Sequence, residues 1–239
     1  MKQQPMTEIL IHHYYEYYLK RYFSKNIFCY YPETKFIPFY IKQHFHHAVK
    51  VLDLGFGTGL WFWASFLPNL ERLDGIDLYP QAISYANQIF KKKRVPSGWR
   101  RAHQDIGETV TIDDIQRLKV RGGKYFFSDY RKKWPDGIRD GIYDLITEHG
   151  GGLAQVDSSD DLIRVFIKIS TALKPGGNFF FMNLEMEPEN IEKRMTEEAH
   201  IPPLKLDQEL FYSAACKSNL VLIEYQQTGN IIYGYMRRE

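Results

Sequence analysis

The chain has 239 residues, 44% hydrophobic and 25% charged, values that fit one sizeable α/β domain and argue against extended disorder. A formal net charge of +2 leaves no global field to steer polyanions, and two cysteines, Cys29 and Cys216, cannot build a disulfide framework or a zinc site by themselves. The opening MKQQPMTEIL has no apolar core of a signal peptide, and the nearly apolar stretch 60–67 is far short of the roughly 20 residues a membrane helix needs, so a cytoplasmic protein without membrane contact is expected.

Residues 1–48 form an aromatic lead-in that absorbs part of an unusual 17 Tyr and 16 Phe. On a helix, Tyr14, Tyr18 and Tyr22 line one face at spacing four, with Tyr15 beside that stripe. Val49 to Leu54 (VKVLDL) reads as a buried strand, and a Gly-rich run then leads into an apolar helix near 60–66. Arg72 to Asp77 is a second strand, and Pro80 suits the first turn of the next helix, with Ile83, Ala86 and Phe90 on one side. Residues 94–123 are a long charged insertion. Lys124–Asp129 and Tyr143–Glu148 are further strands. Ser158 or Ser159 can cap a helix carrying Leu162, Phe166, Ile169 and Leu173, which Lys174–Gly177 stops before strand 178–184. Residues 185–206 are acidic and contain proline.

Strands that alternate with helices predict a parallel sheet covered on both faces. The end differs. Strands 220–226 and 231–237 are separated by only four residues, too few for a parallel crossover, so the last strand must run antiparallel.

Asp53-Leu-Gly-Phe-Gly-Thr-Gly59 sits where a strand turns into a helix. Three glycines at spacing two let the backbone bend and approach a ligand without Cβ atoms in the way. Such a turn lies at the carboxyl edge of a doubly wound sheet, where ligands bind. Asp77 ends the next strand, 24 residues after Asp53, and its acceptor-only carboxylate matches a vicinal diol; it can also cap the following helix.

The ordered set VLDLGFGTG, GIDLYPQAISYAN, YDLITEH and LKPGGNFFF resembles the class I S-adenosylmethionine (SAM)-dependent methyltransferases over about residues 49–237, less the insertion. The resemblance implies a doubly wound, mainly parallel seven-stranded α/β sheet with an antiparallel last strand, helices on both faces, and residues 1–48 as a helical lid. It implies SAM as cofactor. Gly55, Gly57 and Gly59 would lie beneath its methionine moiety, supported by Asp53, and Asp77 would hold the ribose. Asp129 would take the adenine amino group, with Asp105 as a rival, and Tyr130 or Leu78 would lie against the ring. Glu148 and His149 would stand beside the methyl group and substrate.

Glu148 suits the ammonium of SAM and counts as cofactor-binding, and His149, with an ordinary pKa near 6.5, suits a general base. Tyr18 and Tyr22 are expected to reach the pocket, where aromatic faces attract a sulfonium by about 0.5–2 kcal/mol. A small polar acceptor with a nitrogen or oxygen nucleophile is expected. Two alternatives stay open. From Lys91 to Lys133 there are 13 Lys/Arg against 5 Asp/Glu, a patch able to contact the phosphates of RNA. The same cofactor grip also serves enzymes that cyclise or cleave SAM itself. No metal-ligand spacing stands out, so no metal is expected, and the number of subunits stays open.

Overall fold

The computed structural model describes residues 16–17, 19–89, 94–150, 152–153, 156–184 and 204–239, with the backbone alone at Tyr22, Phe23 and Leu184. Seven strands are β1 (Lys50–Leu54), β2 (Arg72–Asp77), β3 (Gly122–Phe127), β4 (Tyr143–His149), β5 (Leu173–Leu184), β6 (Leu220–Thr228) and β7 (Ile231–Arg238). They form one mixed sheet in the order β3-β2-β1-β4-β5-β7-β6. The α-helices among the described residues are α1 (Ile37–Phe45), α2 (Leu60–Ala64), α3 (Pro80–Gln88), α4 (Ser97–Asp105), α5 (Ile112–Val120), α6 (Ser159–Ala172) and α7 (Gln208–Cys216). Among the described residues, no helix is long and apolar enough to cross a membrane.

One compact unit comprises the described residues of 50–55 and 128–239. In it β1 pairs parallel with β4 and β4 with β5, whereas β7 runs antiparallel to both β5 and β6. Two helices start on side-chain caps: Ser158 Oγ accepts from the Asp161 N–H at 3.2 Å, and Asp207 Oδ1 accepts from Leu210 at 3.0 Å. Phe179 and Phe181 of β5 fill the space beneath these helices, while Phe180 between them meets His149. Phe179 meets Phe166 at 5.8 Å between ring centroids, and Phe181 meets Phe211 at 4.4 Å. All four rings are fully buried, each contributing about 1.5–3 kcal/mol by removal from water.

Residues 174–177 differ from the sequence expectation. They do not separate helix from strand; β5 already begins at Leu173, opposite Tyr143, and an irregularity follows before Leu145 meets Asn178. Gly176 takes a φ of +74°, so the Pro-Gly-Gly run absorbs extra residues without ending the pairing.

The second unit comprises the described residues of 16–49 together with 56–127. Here β2 and β3 pair in parallel. The charged insertion is folded: α4 buries Trp99 and Ala102, and α5 buries Ile115 and Leu118 behind a capping box of Thr111 and Asp114. Phe62 of α2 packs edge-on against Trp99 at 5.8 Å and Phe28 at 6.1 Å. Much of the aromatic excess is therefore core. The lead-in is tied to the insertion by polar contacts: Asn26 Nδ2 donates to Asp105 at 2.8 Å, Lys35 pairs with Asp105 at 3.2 Å, and Lys42 pairs with Glu108. On α3 the buried stripe is Ala82, Tyr85 and Ala86 rather than one centred on Ile83; Phe90 lies outside the described residues.

Strand β3 is two residues displaced from the expected Lys124–Asp129. Its end is set by side chains, because Asp129 Oδ1 accepts from the Arg131 N–H at 3.1 Å and closes a local turn that ends the ladder.

Gly234 on β7 marks a close approach of backbones. A Cβ there would lie 2.0 Å from the Glu224 carbonyl oxygen and 3.0 Å from the Phe181 ring. Gly234→Ala is expected to destabilise the protein by about 1–3 kcal/mol through overpacking, read from the denaturant midpoint. An unchanged midpoint would show that the β6–β7 hairpin yields at no cost.

Candidate active site

In the first unit, the carboxyl ends of β1 and β4 are pinned together. Thr147 Oγ1 donates to Asp53 Oδ1 at 2.8 Å, with both residues buried. This bond follows from the parallel register, which sets Asp53 opposite Thr147 and Leu54 opposite Glu148. Directly after β1, Gly55 takes a φ of +65°, a conformation that L side chains resist. Its missing Cβ would lie 3.6 Å from the ring of Tyr130.

Glu148 is 2% exposed, and its carboxylate accepts from the Gly152 N–H at 2.7 Å and from Asn183 Nδ2 at 3.0 Å. The loop after β4 turns on Gly150, with a φ of +102° and an N–H that donates to the Met182 carbonyl at 2.7 Å. Gly152 has no room for a side chain, since a Cβ would lie 1.8 Å from the Tyr130 hydroxyl. Thus Gly55, Tyr130, Gly152, Glu148 and Asn183 form one continuous set of neighbours.

His149 is half-buried, its ring 5.3 Å from that of Phe180. Desolvation pushes its pKa down to about 3, so the imidazole is neutral throughout the physiological range. It can offer a hydrogen-bond acceptor but holds a proton weakly. Asp129 is gripped by Arg131, whose Nε and Nη2 donate to the two carboxylate oxygens at 2.8 and 2.9 Å. Burial raises the Asp129 pKa, but the Arg131 hydrogen bonds and charge outweigh it and hold the carboxyl below its usual range.

In the second unit, Gly57 has a φ of +52° and donates its N–H to Asp77 Oδ2 at 2.8 Å. The Tyr79 N–H donates to Asp77 Oδ1, also at 2.8 Å. Asp77 is therefore a buried carboxylate held by two backbone donors; it is not the cap of α3, whose N-cap is Tyr79 with no side-chain cap, but closes a local turn before it and binds the Gly-rich turn. Gly59 is buried as the N-cap of α2, and Leu78 is 38% exposed beside Asp77. Asp105 is occupied by Asn26 and Lys35; the Asn26 bond is the largest cause of its lowered pKa, followed by that from Lys35.

Tyr18 and the side chain of Tyr22 lie outside the described residues. The backbone of Tyr22 is in a single π-helical turn, Lys20–Ser24. Nearby aromatics surround an internal cation: the Arg21 guanidinium carbon lies 3.7, 4.5 and 5.1 Å from the rings of Tyr17, Tyr30 and Tyr31. Sequence reading missed Thr147, Asn183, Arg131 and Arg21. Thr147 and Asn183 were detectable as polar residues within apolar strand runs; Arg131 and Arg21 carried no local signal.

This sheet order, with its antiparallel last strand, is the fold of the class I SAM-dependent methyltransferases. Solved structures with the same fold include a mitomycin 7-O-methyltransferase, 16% identical with a TM-score of 0.56, matched over 86% of this chain and 54% of that one. A candidate sarcosine dimethylglycine methyltransferase from Galdieria sulphuraria is 12% identical with a TM-score of 0.52, covering 80% of this chain and 78% of the other. A candidate methyltransferase, solved with the Haloferax volcanii Trm112 methyltransferase activator, is 14% identical with a TM-score of 0.54, covering 86% and 90%. The chain thus spans about half the length of the mitomycin enzyme. No protein-family model and no curated protein sequence matches it.

The His149 shift has a sign that can be tested. Its native pKa lies below the unfolded value near 6.5, so in acid the unfolded chain takes up a proton that the native site refuses. The stability contributed by neutral His149 is present above about pH 6.5 and is lost as pH falls toward 3. His103, also lowered by burial, acts in the same direction. His149→Gln is therefore expected to flatten, without abolishing, the loss of stability in that window, measured by denaturant unfolding at several pH values. An identical pH profile would mean the ring is solvated.

Proposed function

We propose that the chain transfers a methyl group from SAM to a small polar acceptor. The observation that carries this reading is the Gly57 N–H bond to Asp77, which joins a positive-φ glycine turn to a buried carboxylate at the end of β2. A Cβ at Gly57 would meet nothing within 4 Å, so the backbone there faces open space. These features fit a ligand that needs close backbone approach and an acceptor for hydroxyl donors.

In this reading Gly55, Gly57 and Gly59 underlie the amino-acid end of the cofactor, Asp53 braces the turn through Thr147, and Asp77 accepts from the ribose hydroxyls. Asp129, Tyr130 and Leu78 serve the adenine, with Arg131 setting the orientation of Asp129. SAM supplies an electrophilic methyl group on a sulfonium. Glu148 and the neutral His149 orient the polar groups of the acceptor. Positioning and exclusion of water carry much of such a displacement, so a strong base is not required.

Asp77→Ala removes the acceptor of two backbone N–H groups and of the proposed ribose contact. It is expected to weaken SAM binding about 100-fold or more in calorimetry, with a cooperative unfolding transition retained. A folded variant with wild-type affinity would defeat the ribose assignment. The activity itself is read by incubating the purified protein with SAM and following sulfur-containing products by mass spectrometry. S-adenosylhomocysteine formed only when an extract of small metabolites is added supports methyl transfer, whereas methylthioadenosine formed from SAM alone would replace it with an intramolecular reaction.

A further inference from the structure

Asn183 is completely buried near the carboxyl end of β5. Its Nδ2 is used, donating to Glu148 at 3.0 Å, but its Oδ1 is buried with no hydrogen-bond partner among the described residues. Buried polar atoms are paired in the great majority of cases, and among the exceptions here Asn183 Oδ1 is the one whose amide is bonded to Glu148. The orphan oxygen lies beside the buried carboxylate of Glu148, which in turn accepts from Gly152 next to Tyr130. Within this unit the strand order β1-β4-β5 carries the Gly55 turn, then Glu148, then Asn183. A group reaching Asn183 therefore lies a strand farther from the glycine turn than one reaching Glu148.

An anionic carboxylate and an amide oxygen side by side are both acceptors, and the ligand that complements them brings N–H hydrogens. A primary amine has two; a hydroxyl has one. The Glu148 charge adds a second preference. As a neutral amine attacks, its lone pair forms the N–C bond to the methyl carbon, the S–C bond breaks and its electron pair remains on sulfur. Positive charge moves from sulfur to nitrogen, and a nearby fixed carboxylate favours that shift. The proton in excess on the N-methylammonium then passes to solvent.

We propose that Asn183 is a specificity-determining residue: its Oδ1, beside Glu148, accepts an N–H of the methyl acceptor, which makes the substrate a small amine. This rests on the methyltransferase reading above. The deciding experiment supplies the wild-type protein with SAM and a small-metabolite extract and locates the added methyl group by tandem mass spectrometry. An N-methylated product is expected. An O-, S- or C-methylated product would overturn the proposal while leaving methyl transfer intact, and failure of the wild type to bind SAM would instead overturn methyl transfer.

Asn183→Leu supplies the second readout. Loss of a hydrogen bond to the acceptor is expected to lower kcat/KM for that amine about 10-fold or more while the SAM Kd stays within about twofold. Unchanged kcat/KM, or a loss confined to SAM affinity, would overturn the assignment. Product identity requires no variant, so the test holds even if Asn183→Leu does not fold.

Discussion

A buried carboxylate at the end of a central strand must find a donor, and in this protein Asp53 finds Thr147 on the adjacent parallel strand. That bond, with the register it accompanies, sets the carboxyl ends of β1 and β4 level. The next residue on each strand then has its task determined by position. After β1 the chain must bend at once, which Gly55 does with a left-handed conformation. Glu148 follows Thr147 on β4 and captures Gly152 and Asn183.

The polar network around Glu148 contrasts with what surrounds it. Phe179, Phe180 and Phe181 are fully buried, and His149 sits against Phe180 in surroundings dry enough to suppress its protonation. Low polarity strengthens each electrostatic contact within the site and penalises any unpaired one. Glu148 and Asn183 are polar side chains placed among apolar ones, where only their mutual bond and that to Gly152 offset the cost of burial.

The aromatic residues divide by neighbour. Phe166, Phe179, Phe181 and Phe211 stabilise one unit, while Phe28, Phe62, Trp99 and His103 pack together in the other. The tyrosines near the start of the described chain surround Arg21, so their faces already serve a cation of the protein itself. This shows that the segment can build a cation-binding aromatic cluster.

Much of the architecture was legible in the linear chain. The bounds of β2, the start of α3 at Pro80, a serine cap at 158 or 159 and the antiparallel close of the sheet all follow from local rules of periodicity, capping and loop length, which depend on residues a few positions apart; the structure chooses Ser158. The Gly-rich turn and Asp77 were legible for the same reason. What the chain could not disclose was pairing at long range: that Asp53 meets Thr147 from 94 residues away, that Asn183 reaches Glu148 across 35, and that Asp105 is engaged by the N-terminal segment. Nor could it reveal that His149 loses its proton affinity, because desolvation depends on which rings close around the imidazole. Local sequence determined the elements and the Gly-rich turn; only the tertiary structure decided which buried polar atoms are paired, since burial and partnership are properties of the packed whole.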